Sequence, residues 1–258
     1  MSSLRRIGVI VAHELRLARR DPTPVMVLVL FPLVTMAFLE PAFRPALVEA
    51  GHVGASGAEQ VVPGQATMSA FFIVSLVTFA FFAEYGWGTW DRLRVSRATS
   101  IEIVVGKTIP RFAMVLAQFV LVFAFGFAVF DFEIRGDSLA LVPLVVAFSC
   151  CLVMLGVAIT AICHSAQQAQ AWAIIGMVLF GAIGGALVPF DVLPNWARTI
   201  APVTPTYWAM RGFRSVILAG DGLEAVAAPI AVLLAMTAGA IVLAMLRFRF
   251  DQHKAGWI

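Results

Sequence analysis

Residues 139–163 read LALVPLVVAFSCCLVMLGVAITAIC, and no charged side chain interrupts them. A helix needs about 20 apolar residues to cross a hydrocarbon core about 30 Å thick, and this run is long enough. Polar residues bound it: Asp131, Glu133 and Asp137 before it, and His164 to Gln168 after it. The same alternation of apolar run and polar break recurs outward in both directions. It predicts six transmembrane helices, at about 24–39, 66–85, 109–130, 139–163, 169–188 and 223–246, within a single all-α membrane unit, 1–258. Hydrophobic residues make up 61% of the chain and charged residues 13%. That is about half the charged fraction of an ordinary soluble domain, and lipid is the solvent that accommodates the apolar excess.

The first 21 residues are too charged for a cleaved leader, because His13, Glu14, Arg16, Arg19 and Arg20 break the apolar run Ile7 to Ala12. They suit an amphipathic interfacial helix better. Leu4, Ile7, Val11, Leu15 and Ala18 recur at three- and four-residue spacing, with Arg5, His13, Arg16, Arg19 and Arg20 on the other side. Asp21-Pro22 ends it, since proline has no amide to donate. The polar segment from Glu40 to Gln65, marked by Gly51, Gly54, Gly57 and Pro63, reads as a loop. The few residues between the fourth and fifth spans predict an antiparallel pair. Of the 18 Lys and Arg residues, 13 fall on the side shared by the two termini. The positive-inside rule then places both termini, and the segment around Ser96, in the cytoplasm and Ser56 outside. The net charge of +3 is small, and the basic residues form no stripe, so no nucleic-acid partner is expected.

Few residues point to chemistry. Cys150, Cys151 and Cys163 have no metal or disulfide spacing and read as buried small hydrophobes. No metal site is expected. Gly106-Lys107-Thr108 resembles the end of a phosphate-binding loop, but Ile101 stands where the first glycine belongs. No catalytic motif is present, so no catalytic residue, no cofactor and no enzyme activity of the chain's own are expected. Glu84, at the inner end of the second span, is an intramembrane acid within reach of the interface. A capping or salt-bridge role competes there with a proton or substrate site. Gln118 lies mid-span and should bond a neighbouring helix. Gly181 and Gly185 have the GxxxG spacing that lets helix backbones approach closely, a possible subunit contact. Phe71, Phe72, Phe79, Phe81 and Phe82 read as bundle or lipid contacts before pathway lining.

The inner segment 86–107 carries more information. Thr89 and Asp91 suit a helix start, and Leu93 and Val95 interleave with Arg92, Arg94 and Arg97. Thr99 and Glu102 form a capping box that should open a second helix ahead of the third span. The segment reads either as an interfacial connector or as a docking helix for a cytoplasmic partner.

Two stretches carry a resemblance. One is Glu84-x-x-x-Gly88-Thr89-Trp90-Asp91-Arg92-Leu93 with Ser96 and Glu102-x-x-x-Gly106-Lys107. The other is Val188-Pro189-Phe190-x-x-Leu193-Pro194, Pro202-x-x-Pro205-Thr206-Tyr207-Trp208, Arg211 and Arg214. Together they resemble the type-2 ABC transporter permeases, especially the drug-exporter branch similar to daunorubicin-resistance permeases. The chain departs from that pattern at Tyr85, Arg97 and Trp208. The resemblance implies a bacterial plasma-membrane permease subunit of an ATP-driven exporter of amphipathic drugs or lipid-like molecules, with antibiotic resistance as one outcome. It implies a second permease chain, identical or related, and two copies of an ABC ATPase that bind ATP and Mg. Asp91, Arg92, Leu93, Arg94 and Val95 would form the ATPase-coupling loop. Pro189, Pro194, Pro202, Pro205, Arg211 and Arg214 would belong to short re-entrant helices at the outer side. A polysaccharide or glycolipid exporter is the alternative. An ion-coupled secondary transporter would need ionisable residues deep in the spans, and these are nearly absent.

Overall fold

Proline, glycine and buried polar groups decide where the apolar runs become helices. A computed structural model describes residues 2–49, 56–130 and 132–247, with the side chains of 46–49 and Arg94 left out. Gly51, Gly54, Asp131 and the basic tail with Arg249 and Lys254 lie outside the described residues. Among the described residues there are eleven α-helices and no strand. They are α1 (Ser3–Arg20), α2 (Thr23–Glu49), α3 (Ala58–Ala70), α4 (Phe72–Gly86), α5 (Trp90–Arg94) and α6 (Ser100–Val129). Then come α7 (Leu141–Ile162), α8 (Ala166–Ile183), α9 (Asn195–Ile200), α10 (Pro205–Ile217) and α11 (Leu223–Arg247). Six stretches among them are long and apolar enough to span a membrane: Thr23–Pro45, Ala58–Gly86, Ser100–Val129, Ser138–Ile162, Ala166–Ile183 and Leu223–Arg247.

Several boundaries differ from the sequence expectation. The loop expected at 40–65 is mostly helix. α2 continues through Pro41 and Pro45, and α3 begins at Ala58 with Pro63 inside it. Membrane helices tolerate proline where neighbours satisfy the released backbone groups. The polar residues that read as loop are instead buried and bonded. Glu59 accepts hydrogen bonds from the Ser56 and Gly57 amides, Gln60 donates to the Gly185 carbonyl at 2.9 Å, and Thr35 meets Gln65 at 2.8 Å. The second span is therefore α3 plus α4, with a break at Phe71. The capping box of Thr99 and Glu102 forms as expected, but it opens α6 itself. One short helix, not two, precedes the third span.

The fifth span ends at Ile183, and Gly185 lies beyond it with φ +84°. The GxxxG pair is therefore not one helical face. An added Cβ on Gly181 would meet Met68 of the same chain, and Gly185 makes the left-handed turn that lets Ala186 and Leu187 donate back to the Gly181 carbonyl. Both glycines have work inside the chain that accounts for them.

The helix α3–α4 runs through the centre: 72% of its spanning window is buried, against 17% for α2. Burial of α8 and α11 is also shallow, and both present leucine, isoleucine and valine outward, as lipid or a neighbouring chain requires. The fourth and fifth spans do not pair preferentially. α7 packs chiefly on α11 and α4, and α8 chiefly on α4. Phenylalanines tie the centre together. Phe148 of α7 meets Phe71 and Phe119, and Phe213 of α10 meets Phe119 and Phe123, with ring centroids 5.7–6.3 Å apart. Phe81 and Phe82 are fully buried. Gln118 donates to Ser69 at 2.8 Å, the interhelical bond expected of it.

α1 runs parallel to the start of α6. Arg6 meets Glu102, an added Cβ on Gly106 would come within 2.7 Å of Ile10, and Glu14 meets Lys107 and Arg111, so residue numbers rise together along both helices. The face turned to α6 therefore carries Arg6, Ile10 and Glu14. Leu4 and Leu15, placed with Ile7 and Val11 on one apolar face, are exposed beside it.

Candidate functional site

At the α1 end of the bundle, charges that stand apart in sequence meet in a buried cluster. Lys107 Nζ donates to Glu14 Oε1 at 2.7 Å, to Glu84 Oε1 at 2.7 Å and to the Ala80 carbonyl at 3.0 Å. All three of its protons are used. Arg111 Nη1 donates to the other oxygen of Glu14 at 2.5 Å, so each carboxylate finds a cation and the group is neutral as a whole. Glu14 and Lys107 are both 2% exposed. Burial alone would raise the Glu14 carboxyl, but Arg111 and Lys107 beside it hold it below its ordinary range. Eight residues back on α1, Arg6 makes a two-pronged contact with Glu102 at 2.8 and 2.7 Å, which raises the guanidinium further. Such forked pairs fix orientation as well as charge. The cluster thus pins α6 to α1 at two points and, through Lys107, to α4 at one.

Glu84 also reaches the inner loop. Its second carboxylate oxygen accepts from the Thr89 hydroxyl, and its backbone carbonyl accepts from the Thr89 amide at 3.0 Å. The chain can fold back there because Gly88 adopts φ +66°, open to glycine at no steric cost. Trp90, the first residue of α5, is buried with its ring stacked on Tyr85 at 4.5 Å. Ser96 donates to the Leu93 carbonyl at 2.7 Å and accepts from the Ala98 amide, which closes the turn that follows α5. The loop is therefore anchored to the chain through Thr89, Trp90 and Ser96. Of the residues expected to receive a partner, Asp91, Arg92 and Val95 are exposed, Val95 at 86%. Leu93 instead packs against the chain's own core. Lys107, with all its donors on protein oxygens, has none left for a nucleotide phosphate.

At the other end, residues 189–217 form a compact cap. Pro189 precedes the single turn Phe190–Val192, Pro194 precedes α9, Pro202 sits in the turn Ala201–Val203, and Pro205 opens α10 behind its cap Thr204. Each proline stands where its missing amide costs nothing. Arg214 pairs with Asp191 at 2.5 Å, Arg211 lies 5.4 Å from the Trp208 ring, and Arg198 donates to the Leu193 carbonyl at 2.8 Å. At 13 residues, α10 is shorter than the roughly 20 needed to span.

Glu14, Arg6 and Arg111 carry the cluster with Glu84 and Lys107, and the sequence reading gave those three no role at the site. A signal existed: acids and bases at the ends of apolar runs must find one another, because an unpaired buried charge costs several kcal/mol. Among the described residues no group of His, Cys, Asp and Glu is arranged to hold a metal ion.

Comparison with known proteins gives a consistent result. The family model of ABC-2 type transporters matches residues 5–218. The probable multidrug ABC transporter permease YbhR of Escherichia coli K12 is 27% identical over 146 residues, 56% of this chain and 40% of that protein. The linearmycin resistance permease protein LnrN of Bacillus subtilis 168 is 26% identical over 151 residues, 58% of this chain and 39% of that protein. The matched stretch spans about two fifths of the length of these curated relatives.

Proposed function

Because the chain belongs to the ABC-2 type transporter family, we propose that it is the membrane-spanning permease subunit of an ATP-driven exporter, moving an amphipathic drug or lipid-like molecule out of the cytoplasm. The observation that carries this reading is the loop at α5. It is short, rigidly held, and presents Asp91, Arg92 and Val95 outward, while Thr89 and Glu84 connect it directly to the charge cluster that binds α1, α4 and α6 together. A push on α5 would reach three helices through hydrogen bonds and ion pairs, without a flexible step. Work would enter from an ABC ATPase, two copies per complex, with ATP and Mg bound there and a second permease chain completing the pore. Both termini and α5 would face the cytoplasm of the bacterial plasma membrane, and the segment 189–217 would form the re-entrant part near the exit. The relatives, a probable multidrug permease and a linearmycin resistance permease, support a drug as cargo.

In this reading Val95 is the apolar anchor of the docking surface, and Arg92 is a rim charge. Anchors hold a complex, while rim charges mainly tune association rate and specificity. Val95→Asp is expected to abolish copurification of the ATPase and ATP-driven transport in proteoliposomes, and Arg92→Ala to reduce them mildly. Membrane insertion should survive in both. Full copurification and transport by Val95→Asp would overturn the coupling role of α5.

A further inference from the structure

A cavity of about 280 Å³ opens between α1, α2, α4 and α6, beside the charge cluster. Its lining is of two kinds. Arg20, Asp21, Glu84 and Arg111 give it charge beside Glu14 and Lys107, and Val25, Leu76, Phe79 and Met114 give it an apolar wall. Because α1 runs parallel to α6, Arg20 lies about 9 Å beyond Glu14 in the direction of Met114, at 1.5 Å per residue, so charged and apolar groups stand side by side along the slot.

The charges lining the cavity are unequally used. Lys107, Glu14 and Glu84 are fully engaged with one another, with Thr89 and with Arg111. Arg111 spends only Nη1, on Glu14 and on the Lys107 carbonyl, and among the described residues its Nε and Nη2 donors make no hydrogen bond. Arg20 is exposed and also makes none. The Asp21 carboxylate caps the start of α2 by accepting from the Thr23 amide at 3.1 Å. What remains on offer is two guanidinium forks at the mouth of an apolar slot. Guanidinium forks match the oxygens of a phosphate, and an apolar wall beside them takes a hydrocarbon chain.

We propose that this cavity is a binding site for a phospholipid of the leaflet on the α1 side, with its phosphodiester on Arg111 and Arg20 and one acyl chain between Phe79, Leu76, Val25 and Met114. The inference goes beyond transport, since it concerns a resident lipid and needs no cargo and no ATPase. The lipid would complete the donors of Arg111 and wedge α2 against α4 where α1 turns into α2.

The test uses the full chain in nanodiscs of phosphatidylglycerol doped with the same lipid carrying a diazirine on its acyl chain. After illumination, adducts are mapped by peptide mass spectrometry. They are expected to concentrate at Val25, Leu76, Phe79 and Met114 over the lipid-facing Val120 and Ile241, which are 69% and 40% exposed. Arg20→Gln should lower that enrichment about tenfold, the worth of one charge-assisted hydrogen bond. Arg111→Lys, which keeps the charge beside Glu14 and loses the fork, should lower it as well. Arg19→Gln, exposed and outside the cavity, should leave it unchanged. Inorganic phosphate should not compete, because it lacks the chain. Adducts spread evenly over the lipid-facing residues would overturn the proposal, as would enrichment indifferent to Arg20→Gln and Arg111→Lys. Displacement of the adducts by phosphate would also overturn it, by assigning the site to a free anion.

Discussion

Lys107, 2% exposed, holds three acceptors, so its removal should leave charges behind. Lys107→Met would strand Glu84 and half of Glu14, and breaking one side of a buried pair costs about 3–5 kcal/mol. The expected result is a large drop in the thermal unfolding midpoint in detergent. Lys107→Met with Glu84→Leu should recover part of it, because the second change removes a carboxylate that has lost its partner. Glu14 gives the pH dependence. Its folded value lies below its ordinary 4.5, so its contribution is complete above that value and is lost as pH falls through the folded one. The stability gap between the parent chain and Glu14→Gln should therefore be constant near neutrality and close in acid below about pH 4. A gap that persists unchanged at low pH would remove Glu14 from the cluster. None of these partners is near another in sequence: Glu14 and Lys107 are 93 positions apart. The charges themselves were legible, and the salt bridge of Glu84 was one of the readings open to an acid at the end of a span. Who pairs with whom depends on α1 lying parallel to α6, which no local pattern encodes.

At the scale of elements, the apolar runs announced six helices, and the errors fell where helices contain residues that usually break them. Pro41, Pro45 and Pro63 sit inside helices, and Glu59, Gln60 and Gln65 read as loop because their partners come from other segments. The sharpest tertiary constraint on α3 is Gly64. An added Cβ there would lie 2.4 Å from the Ala186 carbonyl oxygen, backbone that cannot rotate away. Gly176 on α8 has nothing nearer than 4.0 Å. Gly64→Ala should therefore destabilise the chain by about 1–3 kcal/mol, the usual cost of overpacking, while Gly176→Ala should be neutral or slightly stabilising as a helix-propensity gain. Unfolding midpoints of the two variants, measured side by side, check this, and equal midpoints would mean that α3 and the turn after α8 are not in contact. The contact matters because Gln60 bonds Gly185 in the same place, joining the central helix to the beginning of the 189–217 segment. The capping box at Thr99 shows the opposite case. It was fully legible because both partners lie within four residues, and only its consequence, one helix continuous with the third span, required the fold.

For the whole molecule, the charge asymmetry decides which end is expected to face which compartment. An even number of spans places α1 and the end of α11 on the same side, together with α5 and the charge cluster. That side also carries most of the Lys and Arg, which the positive-inside rule assigns to the cytoplasm. The opposite end holds the 189–217 cap and the Ser56–Gly57 turn against Glu40. Orientation can be read with single cysteines after Cys150, Cys151 and Cys163 are replaced by serine. Ser96→Cys probes the α5 side, where the residue is exposed, and Val203→Cys probes the cap, where the side chain is 76% exposed. Ser56→Cys is a less favourable probe, because its hydroxyl bonds the buried Glu59. In intact cells an impermeant thiol reagent should label Val203→Cys and spare Ser96→Cys. Both should react once the membrane is opened, which establishes that each site is accessible in the folded chain. Labelling of Ser96→Cys from outside would invert the molecule. It would put the α5 surface beyond the reach of any cytoplasmic ATPase, and the export reading would fail with it, because the loop joined to the charge cluster would face the wrong compartment.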